Sequence, residues 1–215
     1  MAPDWLRSRF TLGIVVAIAV AGVSTSAHRR DEYLQAVRID IGPDRVQLEL
    51  DLTPGIAVAS GVIAGIDRDL NGSVSAEEIN AYAARVLGDI RVAVDDEPLA
   101  LGLSSATAPA VDAMRNGEGT IRLQLSAAVV DLGSGTHHLA FHNAHRADIG
   151  VYLANALVPS SNRVDVLAQR RDVDQRELII DYGLRGAATT PWWTVLLLVA
   201  GIAMAAVILW RLRPA

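Results

Sequence analysis

The sequence lacks cysteine, and it lacks lysine as well, since all 19 of its basic residues are arginine. The absence of cysteine excludes disulfide bonds and any metal site built from thiolates. The formal net charge of −5 and the lack of a basic stripe disfavour a nucleic-acid partner.

Patterns for catalysis are missing too. The chain contains no cysteine nucleophile, no G-x-S-x-G sequence and no glycine-rich loop of the type that binds phosphate. Acidic residues cluster at 95–97 and 172–174, but we interpret both groups as solvated turns, with nearby arginines as salt-bridge partners. We therefore do not expect an enzyme.

The most informative stretch runs from Asp67 to Glu78 and reads Asp-Arg-Asp-Leu-Asn-Gly-Ser-Val-Ser-Ala-Glu-Glu. It fits the calcium-loop pattern of the EF-hand, D-x-[DN]-x-[DN]-G-x5-E, at every position. Calcium takes roughly six to eight oxygen ligands at about 2.3–2.6 Å, and alternate residues of a tight loop can supply them. Gly72 permits the sharp turn. The predicted calcium ligands are Asp67, Asp69, Asn71, Ser73 through its carbonyl, Ser75 through a water, and Glu78.

Helical patterns flank this loop, so residues 54–89 are predicted to form a helix–loop–helix. Upstream, Thr53 predicts a helix N-cap and Pro54 the first helical residue. Downstream, Ser75 and Glu78 predict a capping box. A polar turn that matches the calcium pattern by chance is the alternative. The apolar residues at helical spacing are Ile56, Ala59, Val62, Ile63 and Ile66 upstream and Ile79, Tyr82, Ala83, Val86, Leu87 and Ile90 downstream.

The N-terminal residues 1–27 predict a signal peptide. Arg7 and Arg9 form a basic start, an apolar run follows, and small residues precede a cut after Ala27. The apolar run is short for a transmembrane helix. An uncleaved membrane anchor is the alternative.

The C-terminal region predicts a membrane helix. Residues 191–210 carry no charge, are long enough to cross a bilayer, and have tryptophans at both ends. Arg211 and Arg213 follow, which places the tail, residues 211–215, in the cytoplasm and everything before the helix outside. Residues 183–190 are predicted to link the helix to the exported part.

Residues 28–182 predict a mainly β domain, which we interpret as an Ig-like β-sandwich with the helix–loop–helix inserted after its second strand. About nine short strand patterns are separated by turn residues, as in known sandwiches. Residues 104–109 are predicted to be a loop. The predicted strands are 33–41, 45–52, 91–94, 98–103, 120–126, 137–143, 151–157, 164–167 and 177–182.

The histidines suggest a second metal site, because four of the five fall between positions 137 and 145. If residues 137–143 form a strand, His138 and His142 lie about 13 Å apart and cannot hold one ion. His142 and His145 could do so across a turn. A cleaved N-terminal His28 would offer its amine and imidazole together, which favours copper or nickel. An exposed histidine cluster without a metal is the simpler interpretation.

Several segments have a familiar order: Ala-His-Arg-Arg-Asp-Glu-Tyr-Leu-Gln-Ala at 27–36, Asp-Leu-Thr-Pro-Gly at 51–55, the calcium loop, and Tyr-Leu-Ala-Asn-Ala-Leu-Val-Pro at 152–159. Together they resemble uncharacterised bacterial exported proteins with a single EF-hand. The layout is also similar to the extracytoplasmic domains of nickel/cobalt transporter-like membrane proteins of the HupE/UreJ type. Those proteins have a bundle of membrane helices, so no substrate residues are carried over. The resemblance implies a bacterial envelope protein in a metal-handling context.

These observations predict a calcium-binding module that one helix anchors in the bacterial inner membrane, with the bulk of the chain periplasmic and another envelope protein as its partner. Because the loop has no second loop to pair with, we expect a Kd of about 10⁻⁴–10⁻³ M and a structural rather than a signalling ion. The alternative is an accessory protein of nickel, cobalt or copper transport or homeostasis.

Overall fold

The computed structural model describes residues 31–130, 132–186 and 200–202, and this part of the chain is mainly β. Strands and helices are numbered here in chain order. They are β1 (Tyr33–Ile41), β2 (Arg45–Pro54), α1 (Ile56–Ile66), α2 (Ala76–Gly88), β3 (Ile90–Val94), β4 (Glu97–Pro98), β5 (Gly102–Thr107), α3 (Val111–Arg115), β6 (Ile121–Ala128), β7 (Gly135–Asn143), β8 (Gly150–Ala156), β9 (Val164–Arg171) and β10 (Glu177–Leu184).

The strands form two five-stranded sheets. Sheet A has the order β5-β6-β2-β1-β8, and sheet B has the order β4-β3-β7-β10-β9. Neighbouring strands are antiparallel except for β1 and β8, which pair in parallel. The free edge of β8 is covered by side chains of β9, because the Arg171 guanidinium donates to the Ala154 carbonyl at 2.7 Å. That contact leaves less of this edge open to another strand.

The hairpin of β1 and β2 follows directly from the alternation of apolar and polar residues. Leu48 and Leu50 face inward and are 1% exposed, as a period of two predicts for a half-buried strand. On the outer face, Arg38 of β1 donates to Glu49 and Asp51 of β2, each at 3.0 Å. Such exposed pairs stabilise by at most about 1 kcal/mol, so burial of the inner face dominates.

Both sheets and the helix pair contribute to one buried cluster of apolar side chains. It contains Leu50 from sheet A, Phe141 from sheet B, Val62 from α1 and Val86 from α2. The helix–loop–helix therefore packs on the same core as the strands. Ile56 is an exception to the predicted apolar face, since it is 49% exposed.

The structure corrects two predicted boundaries. Pro54 ends β2 rather than starting α1, and Gly55 is the N-cap, without a side-chain cap. The Gly55 N–H donates to the Glu32 carbonyl at 2.8 Å, which continues the hairpin by one more bond. A proline at the end of a strand costs little because its missing N–H is not needed there. At the other end of the helix pair, Ile90 belongs to β3 rather than to α2.

The predicted loop at residues 104–109 was wrong in its first part, since β5 runs through it. β5 is an edge strand that pairs with β6 through a register shift between Leu103 and Ser105. The Ser105 hydroxyl donates to Gln124 at 3.0 Å, so polar side chains support a strand that its own composition disfavours. The short helix α3 was not predicted, and its Val111 and Met114 are buried.

The predicted linker at 183–190 begins too early, because Gly183 and Leu184 belong to β10. Its residues 187–190 lie outside the described residues, as do the predicted signal peptide, the cytoplasmic tail and most of the predicted membrane helix at 191–210. Residues 200–202 are helical. In the described part of the chain, no helix is both long enough and apolar enough to cross a membrane.

Two glycine-to-alanine substitutions are expected to change stability in opposite directions. Gly61 lies within α1, where an added Cβ meets nothing within 4 Å, so Gly61→Ala should raise the unfolding free energy by up to about 1 kcal/mol. At Gly119 the Cβ would lie 2.7 Å from the Met114 nitrogen, so Gly119→Ala should lower it by about 1–3 kcal/mol. Urea denaturation measures both. Equal signs would contradict this packing.

Candidate metal centre

The candidate metal loop lies between α1 and α2 and is fixed at both ends. At its start, the Asp67 N–H donates to the Ile63 carbonyl at 2.8 Å and so terminates α1. At its end, Ser75 is the N-cap of α2 and forms the predicted capping box with Glu78. The confirmed capping box places the last predicted ligand in the first turn of α2.

Three carboxylates converge at this loop. One oxygen from each of Asp67, Asp69 and Glu78 lies within 4.8 Å of the other two. Asp67 is 3% exposed, whereas Asp69 is exposed and Glu78 is half-buried. Among the described residues, no other three His, Asp or Glu side chains come together in this way. The convergence is the geometry that a cation needs from its ligands.

Backbone N–H groups of the turn hold the first two carboxylates. Asp67 Oδ1 accepts from Asn71 N–H at 3.1 Å and Oδ2 accepts from Gly72 N–H at 3.0 Å. Asp69 Oδ1 also accepts from Asn71 N–H, again at 3.1 Å. The turn needs a φ of +80° at Gly72, a conformation that glycine adopts without steric cost. Leu70 also has a positive φ, 60°, and its side chain points into solvent.

Glu78 joins the two ends of the loop. Its Oε1 accepts from Arg68 N–H at 2.7 Å, and its Oε2 accepts from both the N–H and the hydroxyl of Ser75 at 2.9 Å. These hydrogen bonds, first that of the Ser75 N–H, lower the pKa of Glu78 to about 2. Glu78 is therefore ionised at neutral pH.

The remaining predicted ligands, Asn71, Ser73 and Ser75, lie in the same loop, and the side chains of Asn71 and Ser75 are hydrogen-bonded within it. The Asn71 amide donates to Asp69 Oδ2 at 2.7 Å, and its oxygen accepts from Ser73 N–H at 2.8 Å. The atoms with which the predicted ligands would bind a cation are all oxygens. Such a set suits a hard cation such as calcium, magnesium or manganese.

The structure does not bring the predicted histidine ligands together. His142 Nδ1 lies 3.4 Å from Glu177, whereas both ring nitrogens of His145 are hydrogen-bonded to other residues, Nδ1 to Asp89 at 2.8 Å and Nε2 to Tyr82 at 3.0 Å. A metal shared by His142 and His145 would have to displace these bonds. His28 lies outside the described residues.

The other two histidines also have acidic partners of their own. His137 Nδ1 lies 2.7 Å from Asp95, and His138 Nδ1 lies 2.5 Å from Asp181, which Arg170 also contacts. Leu139 and Phe141 of the same strand face the core. Each histidine at 137–145 thus has a separate carboxylate, which favours the simpler interpretation of this cluster.

A buried polar network centred on His145 was not predicted. Because the Asp89 carboxylate can only accept, His145 Nδ1 carries the hydrogen and Nε2 accepts from the Tyr82 hydroxyl. The Tyr82 hydroxyl is 2.5 Å from that of Tyr33, and Gln35 donates to the His145 carbonyl at 2.7 Å. The sequence signal for this network was Gln35, because the alternation of β1 places this polar side chain on the buried face.

Burial lowers the pKa of the His145 imidazole, although Asp89 opposes the shift. His137 differs, because its hydrogen bond to Asp95 raises the pKa of that imidazole. Burial also raises the pKa of Tyr33 well above its usual value. The His145 network is therefore built for a neutral histidine.

Protein-family models, curated proteins and solved structures were compared with the chain, and none of them gives a significant match.

The two histidines should affect acid stability in opposite ways. A lowered folded pKa means that the contribution of His145 is present above about pH 6.5 and is lost as the pH falls below it. The raised pKa of His137 means that its contribution is present below about pH 6.5 and is lost as the pH rises. Acidification from pH 7.5 to 5.5 should therefore destabilise His145→Gln less than the parent chain and His137→Gln more. Denaturant unfolding at both pH values tests this. If the unfolding free energy of both variants changes with pH as much as that of the parent chain, the prediction is contradicted.

Proposed function

We propose that this chain binds one calcium ion in the 67–78 loop and that the ion serves as a structural clip between α1 and α2. The observation that carries the proposal is the convergence of Asp67, Asp69 and Glu78 within 4.8 Å. The loop has the EF-hand spacing, and the left-handed Gly72 stands at the position where that pattern requires a glycine. A chance polar turn would not be expected to point three carboxylates at one place.

Calcium is preferred among the hard cations for reasons of geometry. Magnesium demands a near-ideal octahedron at about 2.0–2.1 Å, whereas calcium accepts roughly six to eight oxygens in a flexible arrangement. The loop offers carboxylates, a carbonyl and an amide from a surface turn. This irregular set fits the larger ion better.

Weak affinity and a structural role are supported by the packing of the helices. Val62, Ile66 and Val86 are at most 1% exposed, so the apolar faces of the helix pair are already covered by the core. The ion would add stability to an arrangement that packing has largely set. A Kd of about 10⁻⁴–10⁻³ M is expected for such a single loop.

We also propose that the two sheets form an Ig-like β-sandwich around this unit. The shared apolar cluster of both sheets supports it. The parallel pairing of β1 with β8 departs from the all-antiparallel pattern of that architecture.

The location is a proposal that rests on the sequence alone. Residues 1–27 and 191–210 favour a module exported from a bacterial cell, held on the inner membrane and presented to another envelope protein. A C-terminal reporter fusion that is active only in the cytoplasm tests the orientation. A full-length fusion without reporter activity would contradict it.

Calcium should stabilise the full chain against heat. Calcium at about ten times the Kd, which is about 1–10 mM for the expected affinity, adds about 1.4 kcal/mol to the unfolding free energy, so Tm should rise in this range of concentration. Asp67→Asn removes one charge while keeping an acceptor for the turn, and it should abolish the rise. The matched control is Glu77→Gln, which removes the neighbouring acid that is not part of the converging three.

Calorimetric titration completes the test, with nickel and copper run beside calcium. A heat of calcium binding that is lost in Asp67→Asn but kept in Glu77→Gln supports the proposal. Micromolar nickel or copper binding without any calcium effect would overturn it and favour the transition-metal accessory role.

A further inference from the structure

Two contacts hold α2 against the start of the loop and the end of α1. The first is the Glu78 carboxylate, which accepts from Arg68 N–H at 2.7 Å across the loop itself. The second comes from Arg85, whose guanidinium Nη2 donates to the carbonyl of Gly65. Gly65 stands two residues before Asp67, at the C-terminal end of α1. Arg85 therefore fixes the helix that delivers the first carboxylate.

Arg85 is itself held in place. Its guanidinium carbon lies 5.4 Å from the centroid of the Tyr82 ring, one turn earlier on α2. The Tyr82 hydroxyl is in turn bonded to Tyr33 of β1 and to His145. A chain of contacts thus runs from the buried core through Tyr82 and Arg85 to the end of α1.

We propose that Arg85 is a positioning residue for the calcium loop, which holds α1 and α2 at the spacing at which Asp67, Asp69 and Glu78 converge. This rests on the proposed calcium function. The ion then binds a loop that is already formed, and the helix pair does not open on binding. The guanidinium suits the role because it is planar, stacks on an aromatic ring and keeps N–H donors for a carbonyl.

Loss of Arg85 should weaken calcium binding because fewer ion-free molecules would have the loop in its binding-competent conformation. The apparent Kd equals the intrinsic Kd divided by the fraction of molecules in the binding-competent conformation. If that fraction falls to about one tenth when Arg85 is replaced, the apparent Kd rises about tenfold. Arg85→Lys keeps the charge and a donor but not the planar stacking, so it should restore part of the affinity.

The experiment is calcium calorimetry on the full chain and on Arg85→Met and Arg85→Lys. Arg115→Met is the matched control, since Arg115 is an exposed arginine of α3 that pairs with Asp112 at 2.9 Å. We expect a Kd about tenfold higher for Arg85→Met, an intermediate value for Arg85→Lys and no change for Arg115→Met. A purely structural role for Arg85 would instead lower the calcium-free Tm and leave the Kd unchanged.

A distance measurement tests the geometry directly. The sequence has no cysteine, so Ser60→Cys on α1 and Ala81→Cys on α2 give a unique spin-label pair at two exposed positions. The label distance should be the same with and without calcium in the parent chain. In Arg85→Met the distribution of label distances should be broad without calcium and narrow with calcium.

The possible failures are distinguishable. Calcium binding with an unchanged Kd in Arg85→Met, or with a calcium-induced shift of the parent label distance, overturns the role of Arg85 and leaves the calcium function standing. Absence of calcium heat in the parent chain overturns both.

Discussion

The hydrogen bond between the Tyr82 hydroxyl and His145 Nε2 is the buried polar contact that ties the helix pair to the connection between the two sheets. Tyr82 belongs to α2, and His145 lies in the connection from β7 of sheet B to β8 of sheet A. Tyr33 of β1 closes the arrangement from the other side. In the described part of the chain, no buried side-chain polar atom lacks a partner. Because an unpaired buried polar group costs about 1–3 kcal/mol, these directional bonds select one orientation of α2 that apolar packing alone would leave less defined.

The loop meets a different physical problem, the mutual repulsion of three carboxylates within 4.8 Å of one another. Its own backbone N–H groups reduce that repulsion, since each of the three acids accepts hydrogen bonds from the turn. Glu78 also lies in the first turn of α2, where the helix dipole favours negative charge. The loop can therefore keep its shape as a set of hydrogen-bonded acids. Each oxygen of Asp67 and Asp69 accepts one hydrogen bond and retains a lone pair for a cation. Each oxygen of Glu78 already accepts two, so a cation would have to displace one of them.

What the sequence predicted correctly was set by short-range patterns. The alternation in β1 and β2 and the capping box at Ser75 and Glu78 are properties of neighbouring residues, and the structure confirms them. The convergence of three predicted ligands follows from fixed spacing within one turn. Most of β5, residues 104–107, was missed because its pairing with β6 comes from outside the segment, and its small polar residues give no strand signal.

The helix boundary and the polar network depended on distant partners in the same way. Pro54 ends a strand because β1 lies beside it, although Thr-Pro-Gly alone reads as a helix start. Asp89 and His145 are 56 positions apart, and nothing local in the sequence indicates that they meet. The histidine cluster invited a metal interpretation because sequence proximity was visible and the acidic partner of each imidazole was not.

Magnitudes decide between a calcium sensor and a calcium clip. Opening the helix pair would expose side chains such as Val62, Ile66 and Val86, each at most 1% exposed. Burial of such a side chain is worth about 1.5–3 kcal/mol, and the bonds of Tyr82 would be lost as well. A cation whose concentration is ten times its Kd would add only about 1.4 kcal/mol to the unfolding free energy, and one at a hundred times its Kd would add about 2.7 kcal/mol. Because that is less than the cost of exposing two core residues, an ion bound as proposed would tighten the closed helix pair but would not open it.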